Sequence, residues 1–216
     1  MIQSIADAVF MPWVVVVLLG AGLWLTLRTG FVQVRRFGEA WRLAFARRTA
    51  SASGALTPFQ AFMTALAASI GTGNIAGVAT AIVSGGPGAL FWIWVYGFVA
   101  MAIKFGEATL GLSFRQIKDG SVLSGPMYYL RDGLRSPFLA GLFALVAAIA
   151  ALTTTPFTQP NSIALVMNSV FGVSKLAVGL VVAVLTWLVI IGGIKSIGRA
   201  AERLSPLKVG LYLAVA

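Results

Sequence analysis

Gln60-Ala61-Phe62-Met63-Thr64-Ala65-Leu66-Ala67-Ala68-Ser69-Ile70-Gly71-Thr72-Gly73-Asn74-Ile75-Ala76-Gly77-Val78-Ala79-Thr80-Ala81-Ile82-Val83 contains no charged side chain. A helix needs about 20 apolar residues to cross a ~30 Å hydrocarbon core, so this stretch is read as a transmembrane span. Its middle is unusual. Two glycines flank a threonine and an asparagine follows, at mid-membrane depth. Each glycine costs a helix about 1 kcal/mol against alanine, and lipid cannot satisfy the asparagine amide. If the helix breaks at Gly71-Thr72-Gly73-Asn74, N–H groups are freed at the start of the outer half and C=O groups at the end of the inner half. Such backbone is tolerated only where it is buried in protein or lines a cavity. Freed amides suit a carboxylate, and freed carbonyls suit a cation. A second reading makes Gly73-x-x-x-Gly77 a close-packing face between helices. A dinucleotide fingerprint is excluded, because no strand precedes the segment and its spacing is G-x-G-x-x-x-G.

The rest of the chain has the same character. Of 216 residues, 59% are hydrophobic and 10% charged, with a mean hydropathy of +0.93; a soluble domain carries about a quarter charged residues. There is no cysteine and no histidine, which removes disulfides, thiolate metal sites and the commonest general base. Six acidic residues remain, too few and too scattered for hydrolytic or redox chemistry, so no enzyme, catalytic residue or cofactor is expected. The net charge of +10 does not mark a nucleic-acid partner. It falls in three clusters: Arg28, Arg35, Arg36, Arg42, Arg47 and Arg48; Arg115, Lys118, Arg131 and Arg135; and Lys195, Arg199, Arg203 and Lys208. Each is read as a connection between apolar spans, with alternate connections nearly free of Lys and Arg, which is the positive-inside pattern.

The spans are expected at about 8–27, 60–83, 89–114, 137–170 and 176–194, with a sixth begun at 206. Thr57 is the expected N-cap of the second, with Pro58 at its first helical position. Ser84-Gly85-Gly86-Pro87-Gly88 ends it. Arg28 follows the first span directly, which reads as an anchor and not a cleaved signal peptide. Placing the basic clusters in the cytoplasm puts the N-terminus outside a plasma (inner) membrane, with the basic loops inside. Trp92, Trp94 and Tyr96 then form an interfacial aromatic belt. Residues 1–59 are a peripheral transmembrane helix with a basic cytoplasmic connection, and 60–216 form the main helical unit. The apolar helix that opens at Leu204-Ser205-Pro206-Leu207-Lys208 stops short of a crossing at Ala216, so a truncated product or fragment is expected.

At the level of motifs, Phe59-Gln60-Ala61-Phe62-Met63-Thr64-Ala65-Leu66-Ala67-Ala68 running into Gly71-Thr72-Gly73-Asn74-Ile75-Ala76-Gly77-Val78-Ala79-Thr80-Ala81-Ile82 resembles the alanine/glycine:cation symporter family, its N-terminal half only. So do Gly85-Gly86-Pro87-Gly88-Ala89-Leu90-Phe91-Trp92, Lys104-Phe105-Gly106-Glu107, Gly125-Pro126-Met127-Tyr128-Tyr129, Asn161-Ser162-Ile163-Ala164 and Gly192-Gly193-Ile194-Lys195. The resemblance implies sodium-coupled symport of alanine or glycine into the cell by alternating access. It also implies an all-α polytopic fold: a partial first inverted repeat of a leucine-transporter-like fold over 60–216, preceded by one peripheral helix. A C-terminal repeat needed for function would be missing. Proton coupling within the same fold and a channel or pore subunit are the alternatives. Two departures stand out: Ser124-Gly125 replaces the family's double glycine, and Thr155-Pro156 replaces its Gly-Asn, with Pro160 added beside Gln159.

For the site, Gly71, Thr72, Gly73, Asn74 and Gln159 are expected to meet substrate. The carbonyls of Ala68 and Ser69, with the Thr72 hydroxyl, are expected to serve Na+ (or H+ coupling in its place). No resident metal is implied. Gln159 and Asn161 could equally bond between helices. Lys104 and Glu107, at i and i+3 on one helix face, are either an inner gate or a structural ion pair. Tyr128 and Tyr129 are either interfacial anchors or gate contacts, and Trp187 is a packing residue.

Overall fold

A computed structural model describes residues 13–46, 55–119, 121–153 and 155–215. In chain order the helices are α1 (Val15–Arg28), α2 (Val32–Arg35), α3 (Phe37–Ala44), α4 (Pro58–Ser69), α5 (Thr72–Gly85) and α6 (Gly88–Ser113). A hairpin follows, of β1 (Gln116–Lys118) and β2 (Ser121–Leu123). Then come α7 (Pro126–Asp132), α8 (Pro137–Thr153), α9 (Thr155–Phe171), α10 (Lys175–Ile190) and α11 (Gly193–Val215). By length and composition, Gly88–Ser113 and Pro137–Phe171 can each cross a membrane. Pro58–Ser69 with Thr72–Gly85, and Lys175–Ile190 with Gly193–Ala214, qualify as pairs bent by 45° and 117°. Val15–Arg28 is apolar but shorter. This is a multi-pass helical membrane architecture.

Helices in lipid gain nothing by hiding leucine from hydrocarbon, so they pack through small residues instead. The buried apolar side chains among the described residues are Val32, Met63, Ala102, Ala140, Ala164, Val178 and Ala201, four of them alanines. The large side chains point outward: Trp92 is 67% exposed and Trp94 74%.

The chain forms two compact units, one of Met1–Trp41 with Ala81–Phe143 and the other of Arg42–Thr80 with Ala144–Ala216. In the first, α1 lies against α6. The closest approach is at Gly22, where an added Cβ would collide with the Val99 side chain and lie 3.0 Å from its carbonyl oxygen. After α6, Gln116 pairs with Leu123 and Lys118 with Ser121 in the hairpin, and Asp119 takes a φ of 50° at its turn. Ser124 Oγ donates to Gly111 O at 2.6 Å, and Gln116 Nε2 donates to Asp132 at 3.0 Å. These bonds fold the polar segment back against the end of α6.

In the second unit, Thr57 begins α4 with a reciprocal cap. Its hydroxyl accepts from Gln60 N at 3.2 Å, and Gln60 Oε1 accepts from Thr57 N at 3.1 Å, with Pro58 at the first helical position. The other end of the same Gln60 amide donates to Glu202 on α11 at 2.9 Å. One turn on, Ser205, only 2% exposed, donates to Met63 O at 3.1 Å. Helix α11 packs on α4 more extensively than any other pair of elements among the described residues, and α10 packs on both α9 and α11.

Four features differ from the sequence reading. The sixth helix does not begin at 206. It begins at Gly193, whose φ of 63° makes the turn after α10, and it runs through Pro206, which has no N–H to donate to Glu202 O. Lys195, Arg199, Arg203 and Lys208 therefore lie on a helix, not in a connection. The fold carries a small hairpin beside its helices; the Asp119-Gly120 pair between Ile117 and Val122 is a hairpin signal that the apolar periodicity overshadowed. Helices α2 and α3 also occupy part of the basic segment read as a plain connection. The other expected spans overlap α4 with α5, α6, α8 with α9, and α10, and the expected start of the first, at residues 8–12, lies outside the described residues.

The Gly22 contact yields a paired expectation. Gly22→Leu overpacks α1 against α6 and lowers stability by about 1–3 kcal/mol in detergent unfolding followed by circular dichroism. Gly20→Leu, where nothing lies within 4 Å of an added Cβ, leaves stability unchanged or raises it by up to about 0.8 kcal/mol through helix propensity.

Candidate functional site

The break in the second span is tighter than the four residues Gly71–Asn74. Ile70 leaves the helix at φ −107° and ψ 68°, and α5 resumes at Thr72. Gly71 O accepts from both Asn74 N at 3.1 Å and Ile75 N at 3.2 Å, so Gly71 caps the second half-helix. Thr72, Gly73 and Asn74 form its first turn.

A helix that stops leaves its last four carbonyls without partners, and here each of them has one. Leu66 O accepts from Ile70 N at 3.1 Å. Ala68 O and Ser69 O accept from the Asn74 side-chain amide at 3.4 and 2.6 Å. Ala67 O accepts from Lys208 Nζ at 3.0 Å, and the same ammonium takes Ile70 O at 2.6 Å. Ala68 O and Ser69 O, the carbonyls expected to face a cation, are thus held by the Asn74 amide, and the neighbouring Ala67 O and Ile70 O by an ammonium. The amide side is different. The N–H groups of Gly71, Thr72 and Gly73 have no acceptor among the described residues, and they stand at the positive end of α5.

Gln159 comes to this point from α9. Its amide nitrogen lies 3.5 Å from where a Cβ on Gly71 would be, so the one substrate-facing residue expected from outside the span sits at the break. Gly73 and Gly77 have nothing within 4 Å of an added Cβ; no helix among the described residues uses them as a packing face. Gly71 to Asn74, Ala68, Ser69 and Gln159 are all gathered in one unit.

Lys104 and Glu107 belong to the other unit. Their side chains meet at 2.6 Å within α6 and are 78% and 41% exposed. They line a cavity of about 340 Å³ with Gly111, Ser124 and Tyr129. Burial, and then the nearby Glu107 carboxylate, raise the Tyr129 hydroxyl above its ordinary pKa, with Lys104 opposing. Arg131 covers the face of Tyr128 at 5.4 Å. Trp187 is 60% exposed.

The residues that sequence reasoning missed are Glu202, Ser205 and Lys208. Ser205 and Lys208 were read at the opening of a helix over 204–208, Lys208 also as part of a basic cluster, and Glu202 was given no role. Their i, i+3, i+6 spacing was the available signal, since it places them on one helix face, but it has meaning only once α11 is known to start at Gly193.

The model of the sodium:alanine symporter family matches residues 1–216. The chain is 45% identical to the sodium/alanine symporter AgcS of Methanococcus maripaludis, over 99% of this chain and 48% of that protein. It is 40% identical to the putative sodium/proton-dependent alanine carrier protein YrbD of Bacillus subtilis, over 89% of this chain and 40% of that protein. It is 33% identical to the probable sodium/glutamine symporter GlnT of the same organism, over 97% and 44%. The chain spans about half the length, or less, of these relatives. They are transporters and not enzymes. With its broken, apolar second span and a family match along its whole length, the chain belongs to the sodium:alanine symporter family.

Proposed function

We propose that this chain serves sodium-coupled import of a small neutral amino acid, alanine or glycine, by alternating access across the plasma (inner) membrane. In this reading its N-terminus is outside and its basic segments are cytoplasmic. The observation that carries the proposal is the asymmetry of the break. Its carbonyl end is already ligated by positive or N–H donors, and its amide end presents three N–H groups with no acceptor among the described residues. An amino acid's carboxylate fits that amide end, where unpaired N–H groups and the half-helix dipole act together. Gln159, against Gly71, is placed to hydrogen-bond the same ligand.

Na+ is the second cargo. Ala68 O, Ser69 O and the Thr72 hydroxyl are the hard oxygen donors proposed for it, and taking the two carbonyls requires the Asn74 amide to turn away. No carboxylate side chain lies on this span, so the substrate's own carboxylate supplies the counter-charge, and each ligand then strengthens the other. One charge moving down ~100 mV releases about 2.3 kcal/mol, enough for roughly fifty-fold accumulation at 1.36 kcal/mol per decade. Relatives are about twice the chain's length, and transport in this reading requires the second, C-terminal repeat. The Lys104–Glu107 pair is kept here as a structural or gating bond at one end of α6.

Two measurements test this. Proteoliposomes carrying the complete protein take up labelled alanine along an inward Na+ gradient; uptake indifferent to that gradient removes the sodium-coupled reading. In the same protein Gln159→Ala weakens alanine binding roughly tenfold, the worth of one hydrogen bond of about 1.4 kcal/mol. The fold tolerates this change, because the side chain is exposed in the chain, so unchanged alanine affinity excludes Gln159 from the site.

A further inference from the structure

Lys208 is the only charged residue among those lining a groove of about 800 Å³, whose walls include Ala67, Leu185, Val189, Leu204 and Leu211. A lysine in so apolar a place ordinarily snorkels to water or pairs with a carboxylate. This one turns to main-chain oxygens. Half-buried, its ammonium bonds Ala67 O at 3.0 Å and Ile70 O at 2.6 Å, and it joins none of the ion pairs formed by the described residues.

The packing of α11 on α4 delivers it there. Glu202 accepts from Gln60, Ser205 donates to Met63 O, and Lys208 reaches the last turn, so the contacts at 202, 205 and 208 step along one helix face. Gly198 lets this face approach closely, since a Cβ there would collide with the Leu56 side chain. A positive charge at the C-terminal end of a half-helix meets the negative end of its dipole. The two carbonyl oxygens that converge on that charge are also of the donor type a free hard cation takes.

We propose that the Lys208 ammonium is a tethered cation that occupies the carbonyl end of the break in place of a free monovalent cation, and that Na+ binds there by displacing it. Ammonium and Na+ compete for the oxygens of Ala67 and Ile70, next to the Ala68 and Ser69 oxygens. Entry of Na+ detaches the Lys208 side chain of α11 from the end of α4, which links ion binding to the contact between the two helices. Lys208 thereby sets the affinity for Na+: while the ammonium holds the oxygens, the apparent affinity falls in proportion to the fraction of molecules left open. The inference rests on the reading of the break as a cation site.

The test is Na+ binding to the 216-residue chain in nanodiscs at constant ionic strength, with choline as the balancing cation. Lys208→Met binds Na+ roughly tenfold or more tighter than the parent, and Lys208→Arg, which keeps the charge, does not. Equal or weaker binding by a folded Lys208→Met overturns the proposal. A second measurement needs no variant: amine acylation of the unaltered chain, quantified by mass spectrometry, with Lys104, Lys118, Lys175 and Lys195 as internal references. Lys208 acylates faster in NaCl than in choline chloride as Na+ expels the ammonium; an unchanged ratio overturns the proposal even where Lys208→Met does not fold. Sodium-independent uptake by the complete protein, together with sodium-sensitive Lys208 acylation, removes the transport reading and leaves this one standing. The opposite pair of results does the reverse.

Discussion

A peptide group that leaves a helix inside a membrane has no water to bond, and the organisation of this chain around its second span follows from that constraint. Ile70 and Gly71 interrupt the span. The interruption is tolerated because partners come to it: Asn74 folds back from the next half-helix onto Ala68 O and Ser69 O, and Lys208 reaches in from far along the chain to Ala67 O and Ile70 O. The close packing of α11 on α4, with Ser205 buried between them, holds that reach in register. The carbonyl end is thereby satisfied within the chain, while three N–H groups at the amide end have no acceptor among the described residues. The two ends of the break carry partial charges of opposite sign, negative at the carbonyls and positive at the amides.

The remaining packing serves this arrangement cheaply. Helices are held by alanines and by close approaches such as Gly22 on Val99, which suits a solvent of hydrocarbon in which burying large apolar side chains gains little. Most aromatic and branched residues face outward, available to lipid or to further protein. The polar parts are built differently. The hairpin, Ser124 on Gly111 and Gln116 on Asp132 use ordinary hydrogen-bonded turns.

Much of this was legible in the sequence because it rests on local chemistry. The apolar runs, the Thr57–Pro58 start of α4 and the glycine-rich interruption all follow from composition, capping preference and helix propensity. Gln159 became legible only through its resemblance to a family motif, since nothing local distinguishes an amide that faces Gly71 from one that bonds another helix. What stayed hidden depends on contacts distant in sequence. Lys208 looked like one more basic residue of a cytoplasmic cluster, and Pro206 looked like a helix start, because proline is favoured there and its place inside α11 is set by packing on α4. The hairpin was hidden for a different reason: a strong hydropathy pattern on both sides drew the reading away from a short Asp-Gly signal.

The central claim is that the break has a saturated carbonyl end and an open amide end. Amide hydrogen exchange across residues 58–85, in nanodiscs and resolved to single residues, tests it most directly. From Gln60 to Gly85 fast exchange is expected only at Gly71, Thr72 and Gly73, flanked by protected amides through Ile70 and from Asn74 onward. Continuous protection from Leu66 to Ile75 would mean an unbroken helix and would contradict it.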